Sequence, residues 1–178
     1  MRRQQLILCA GLLALCLAGN AIAVPINFGT YGFGNISANN VGDAQIGEAQ
    51  LFVDVLADTL GDDQVIFQFR NIGPEASSIA DVYFDNGILL GIASIDNSDP
   101  GVAFSQHASP GNLPSHNSIV PAFQTTAGFG ADSDPPVQPK GVNPSEMMGI
   151  TFDLINGGTV QDVLDELANG EICVGIHV

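Results

Sequence analysis

From Ala49 onward the chain alternates residue by residue between two faces. Leu51, Val53 and Val55 point one way, and Phe52, Asp54 and Leu56 the other, which is the period of a β-strand. After a turn at Gly61-Asp62-Asp63, Val65, Phe67 and Phe69 oppose Ile66, Gln68 and Arg70. The two runs predict an antiparallel hairpin with one buried face. Asn71-Ile72-Gly73-Pro74 breaks the second strand. A third strand is predicted near Ser78 to Phe84, and Asp85-Asn86-Gly87 offers the side chains that a tight turn with positive φ prefers. Ile88 to Ile95 reads as the return strand. The expected arrangement of these four strands is a meander.

Residues 96–146 break the pattern. They hold eight of the ten prolines, and proline cannot donate to a β-ladder. Only short strands are predicted there, at Val102 to Ser105 and Ile119 to Thr125. A loop of this length in a compact domain is usually either functional or locally disordered, and it is the first place to seek a site. Met147 to Leu154 restores alternation, with Met148, Ile150, Phe152 and Leu154 on one face. A helix follows. Thr159 is its N-cap, Asp162 stands at the third helical position, and Gly170 ends it. Val160, Val163, Leu164 and Leu167 form its apolar stripe. Ile172 to Val178 alternates again. The Gly- and Asn-rich segment 24–48 reads as a loosely ordered entry with one short strand at Ile26 to Phe28. The pattern predicts a mostly β chain: an antiparallel β-sandwich of jelly-roll or Ig-like type, with one short α-helix, over residues 49–178.

Residues 1–23 differ from everything after them. Arg2 and Arg3 precede an apolar run from Leu6 to Ala18, and Ala21-Ile22-Ala23 has the small-x-small form cut by signal peptidase before Val24. The run is too short for a stable bilayer-spanning helix. A cleaved signal is expected, with the protein exported to the cell surface or the extracellular space of a bacterium. No membrane span is expected in the remainder, which suits one domain.

Charge narrows the partners. The formal net charge is −15, and beyond residue 23 the 19 acids face only Arg70 and Lys140. Nucleic acid is excluded as a partner, because binding it takes clustered Lys and Arg. Scattered acids also keep an exported protein soluble. Cys173 is the only cysteine after Cys16, so the exported chain can form no internal disulfide.

Several groups of residues invite a chemical reading. Asp96-Asn97-Ser98-Asp99 and Asp132-Ser133-Asp134 alternate oxygen side chains as a hard cation requires, so Asp96, Asp99, Asp132 and Asp134 are a candidate calcium site. The same residue types also populate turns by bonding their own backbone. Beyond calcium, no cofactor is expected. Cys173 and His177 share a strand face but stand roughly 13 Å apart along it, too far for a nucleophile and its base. His107 and His116 lie beside Ser105 and Ser115 without a nucleophile elbow. No tryptophan and two tyrosines leave little for a sugar-stacking platform.

Most of residues 45 to 178 resemble a known group. The segments Val65 to Pro74, Ile79 to Asp85, Phe104 to Pro114, Asp132-Ser133-Asp134, Gly141-Val142-Asn143-Pro144, Gly149 to Leu154 and Gly175-Ile176-His177-Val178 are similar to ectodomains of exported bacterial proteins with PEP-CTERM sorting tails. The tail itself is not in this chain, so the expectation is a truncated sequence or a released protein. The resemblance implies association with exopolysaccharide-producing bacteria and supplies no catalytic residues. The leading expectation is a non-enzymatic cell-surface or extracellular-matrix protein, with extracellular polysaccharide or other surface proteins as partners. A calcium-assisted glycan-binding module using the 96–146 loop is the alternative, and a secreted hydrolase the second alternative.

Overall fold

The structure is a computed structural model and describes residues 24–37, 40–59 and 61–178. The predicted signal, 1–23, lies outside the described residues. Among the described residues nine strands form two antiparallel sheets packed as a β-sandwich. The larger sheet has the order β1-β2-β3-β8-β5: Ile26–Gly32, Leu51–Ala57, Gln64–Asn71, Met147–Leu154 and Leu89–Asp96. The smaller has the order β6-β7-β4-β9: Phe104–Gln106, Gly130–Ser133, Asp81–Phe84 and Val174–His177.

Alternation sorts the side chains as the sequence predicts. Val65, Phe67 and Phe69 of β3 and Ile150 and Phe152 of β8 are fully buried between the sheets. The β2–β3 hairpin forms in the register Val53↔Phe69 and Val55↔Phe67. From the opposite sheet, Phe84 of β4 drives its ring among three aromatic neighbours. Its centroid lies 5.0 Å from Phe67, 6.0 Å from Phe69 and 4.7 Å from Phe152, all edge-on. Edge-to-face contact sets the positive rim of one ring against the negative face of another.

The meander does not form. β3 pairs with β8 on its far side, while β4 crosses to the smaller sheet and β5 returns to pair with β8. The crossing is pinned by two buried amides. Gln50 Nε2 donates to the Glu75 carbonyl at 2.8 Å, and Gln50 Oε1 accepts from Glu75 N–H at 3.1 Å. Asn71 Nδ2 donates to the carbonyls of Ser77 and Val142. Alternation says which face a residue takes but not which strand lies beside it, so the meander was one of several pairings with the same pattern.

The entry segment is more ordered than its composition suggests. β1 pairs with β2 along its length, so the sandwich begins at Ile26. The helix α1, Val41–Gln50, follows with Asn40 as N-cap. Among its residues only Gln50 is buried, so it carries no apolar stripe for periodicity to reveal. Within 96–146, β6 falls near the predicted Val102 to Ser105, but Ile119 to Thr125 is not a strand. Asn112 Oδ1 accepts from both Thr125 N–H and its hydroxyl, which ties the segment as an irregular loop. A single helical turn, α2 at Val137–Lys140, is also present. The predicted C-terminal helix is α3, Val160–Asn169, with the Thr159–Asp162 capping box and Gly170 at φ 76°.

Replacing Phe84 with Ala removes the ring that links both sheets. The expected loss is about 3–5 kcal/mol of unfolding free energy, read as a lower urea midpoint with an unchanged slope.

Candidate functional site

On β4, Val82 and Phe84 face the core, so Asp81 and Tyr83 face outward. The strand registers line up Ser105, Asp132, Asp81 and His177 in one row across β6, β7, β4 and β9. The Asp81 carboxyl is buried, and His177 Nδ1 donates to its Oδ2 at 2.8 Å. At the other end, Ser105 Oγ donates to Asp134 Oδ1 at 2.8 Å.

The neighbouring row is Gly130, Tyr83 and Gly175. Both glycines make room for the 107–126 loop. A Cβ on Gly175 would lie 2.7 Å from Leu113 Cδ2, and one on Gly130 would lie 3.0 Å from Ala108 Cβ. Leu113 and Phe123 therefore settle onto the sheet and bury Tyr83 in a second small core. This cover dries one side of the polar row.

Drying has electrostatic consequences. Burial, the hydrogen bond and charge of Asp81, and the charge of Asp134 together push the Asp132 carboxyl up to about 6. Burial and the same two carboxylates, Asp81 and Asp132, raise the Tyr83 phenol well above its ordinary value. The Asp81–Asp132 pair thus favours keeping a proton on Asp132. Burial and the nearby Asp85 also push the Cys173 thiol up, the opposite of what a nucleophilic cysteine needs. Ser105 and His177 stand three strand spacings apart, roughly 14 Å, so they are not a nucleophile and base.

A groove adjoins the row. β5 and β6 meet at one edge of the sandwich. At the opposite edge the end strands are β1, in the five-stranded sheet, and β9, in the four-stranded one. A cavity of about 340 Å³ opens there, walled by Tyr31 and Phe33 on one side and Val174 and Ile176 on the other, with Val53 and Phe67 beneath. A second, of about 650 Å³, continues past Ile176 and His177 to Ile46 and Glu48 of α1. Both volumes lie in the range of ligand sites.

The four carboxylates of the predicted calcium site are not brought together. Asp99 Oδ2 accepts from Met147 N–H at 2.7 Å, and Asp96 Oδ1 from Ser98 N–H at 2.9 Å, beside the end of β5. Asp132 faces Asp81, and Asp134 is bonded to Ser105. Among the described residues no group of three or more His, Cys, Asp or Glu is placed to hold a metal ion. Turn and ladder bonds engage these oxygens one by one. His116 Nδ1 donates to the Phe123 carbonyl at 3.2 Å, and His107 has φ 84° at the start of the loop. Sequence reasoning missed Asp81, whose partner His177 lies 96 residues away. The one available signal was an acid at a strand position, flanked by Ala80 and Val82.

No family model matches the chain, and no curated protein or solved structure matches it either.

The raised Asp132 carboxyl makes a signed prediction. Unfolded, the group ionises near 3.8; folded, near 6. Between these values the folded chain holds the extra proton, so this group's contribution falls as pH rises and stays lost above 6. Asp132→Asn is neutral throughout. It is expected to melt higher than the parent at neutral pH, with the advantage vanishing below 3.8, as read from melting temperatures of both proteins across that range.

Proposed function

We propose that this chain is an exported, non-enzymatic binding module of the bacterial cell surface or extracellular matrix. The observation that carries this reading is the open edge of the sandwich, where an apolar groove runs beside the edge strand β9. Its walls are largely aliphatic and aromatic side chains, suited to holding a partner by burial and shape. The polar row next to it supports the same reading, since its acids and His177 bond one another across the strands. The signal-like residues 1–23 and the acid-rich remainder agree with work outside the cytoplasm. The resemblance to PEP-CTERM ectodomains extends the proposal to an exopolysaccharide-associated setting. Among the described residues no helix is long and apolar enough to cross a membrane.

Expression of the full chain in a bacterial host tests the location. The exported product is expected to begin at Val24, read by mass spectrometry of its N-terminal peptide. Arg2→Glu with Arg3→Glu is expected to hold the uncut chain in the cytoplasm. An uncut parent chain retained inside the cell would overturn the reading. So would hydrolysis of a glycan or ester that Asp81→Asn abolishes.

A further inference from the structure

The edge of β9 has the properties of an acceptor for one more strand. β9 has β4 as its only ladder partner among the described residues. Asp85 N–H donates to the Cys173 carbonyl and Ala80 N–H to that of His177, so the odd-numbered residues face β4. In an antiparallel ladder the intervening residues face away, which leaves the N–H and C=O groups of Val174 and Ile176 on the open edge. Their side chains turn inward and pack against the main core. The gap beside them is the smaller cavity, with Val53 and Val55 of the larger sheet as its floor. A fifth strand placed here would give both sheets five strands and cover that floor.

Charge selects the strand. Asp43 and Glu48 border the larger cavity, and among the described residues no Lys or Arg lines either cavity. On the outer face, His177 lies in the row of Asp81, and Cys173 lies opposite Asp85 through its carbonyl bond. Outward side chains of an added strand would stand two strand spacings from Asp85, roughly 9.5 Å, within the reach of a lysine, while His177 already engages the buried Asp81 carboxyl. A second copy of this chain would bring its own excess of acids to the same rim, since the formal net charge is −15. We propose that β9 captures an extended peptide segment of a partner protein by β-augmentation. The segment has apolar residues on its inward face and Lys or Arg on its outward face. This names the partner of the binding module and rests on that reading. Export and cleavage at Val24 do not depend on it, so the two fail separately.

The probe is a fluorescent peptide of alternating valine and lysine, seven residues long, titrated into the purified full chain. Saturable binding is expected, weaker by about tenfold or more when glutamate replaces lysine, because the rim then repels it. Two peptides N-methylated at alternate residues, on the valines or on the lysines, block one edge each; one of them is expected to lose binding and the other to keep it. Ile176→Pro removes an N–H that faces away from β4 and leaves the charge unchanged, so the folded variant is expected to bind about tenfold or more weakly. Several results would overturn the proposal: equal affinity for lysine and glutamate peptides, indifference to both N-methylation patterns, or no saturable binding. A dimer of the chain that Ile176→Pro dissociates would assign the edge to a second copy instead.

Discussion

Everything in this sandwich depends on the edge-on packing of Phe84 against Phe67, Phe69 and Phe152. Those rings come from both sheets, so neither sheet can bury its inner face without the other. The contact also accounts for the crossing after β3. A β4 that stayed in the first sheet would leave Phe84 without its three ring partners. The buried amides of Gln50 and Asn71 hold the crossing segment, satisfying backbone groups that would otherwise be stranded there.

Once β4 lies in the smaller sheet, its outward side chains create the polar row. Asp81 and Asp132 face each other because the β4–β7 register puts them there, and His177 reaches Asp81 because β9 pairs on the other side. The loop over Tyr83 then removes water from part of this row, and that burial helps to raise the Asp132 carboxyl above its ordinary value. Gly130 and Gly175 are the permissive positions, since a side chain at Gly175 would lift Leu113 and let water return. A backbone packing choice thus sets a titration.

The unequal sheets have a second consequence. Among the described residues five strands over four leave one edge without a facing strand, and that edge lies between β1 and β9. Exposed strand edges in natural proteins are commonly covered, charged or twisted away. β1 carries an irregularity between Asn27 and Gly29, whereas β9 runs without one to the rim of the groove. In the capture proposed for β9, the formal net charge of −15 favours a basic strand at that edge over a second acidic copy.

The sequence by itself determined the fold class, the β2–β3 hairpin, the buried face of β8 and the capped helix α3. Each depends on local information: a period of two, a period of 3.6, or the chemistry of a cap. It did not reveal α1, whose residues make no apolar stripe, and it suggested a strand at Ile119 to Thr125 that Asn112 holds as a loop. Nor did it group the acids correctly. Asp96, Asp99, Asp132 and Asp134 stood out because they are neighbours in sequence, while Asp81 and His177 meet across 96 residues. Tertiary structure alone decided which strands pair, which acids face each other and which edge stays open. Strand pairing is a long-range choice among partners with the same alternation, and the packing of Phe84 between the sheets makes it.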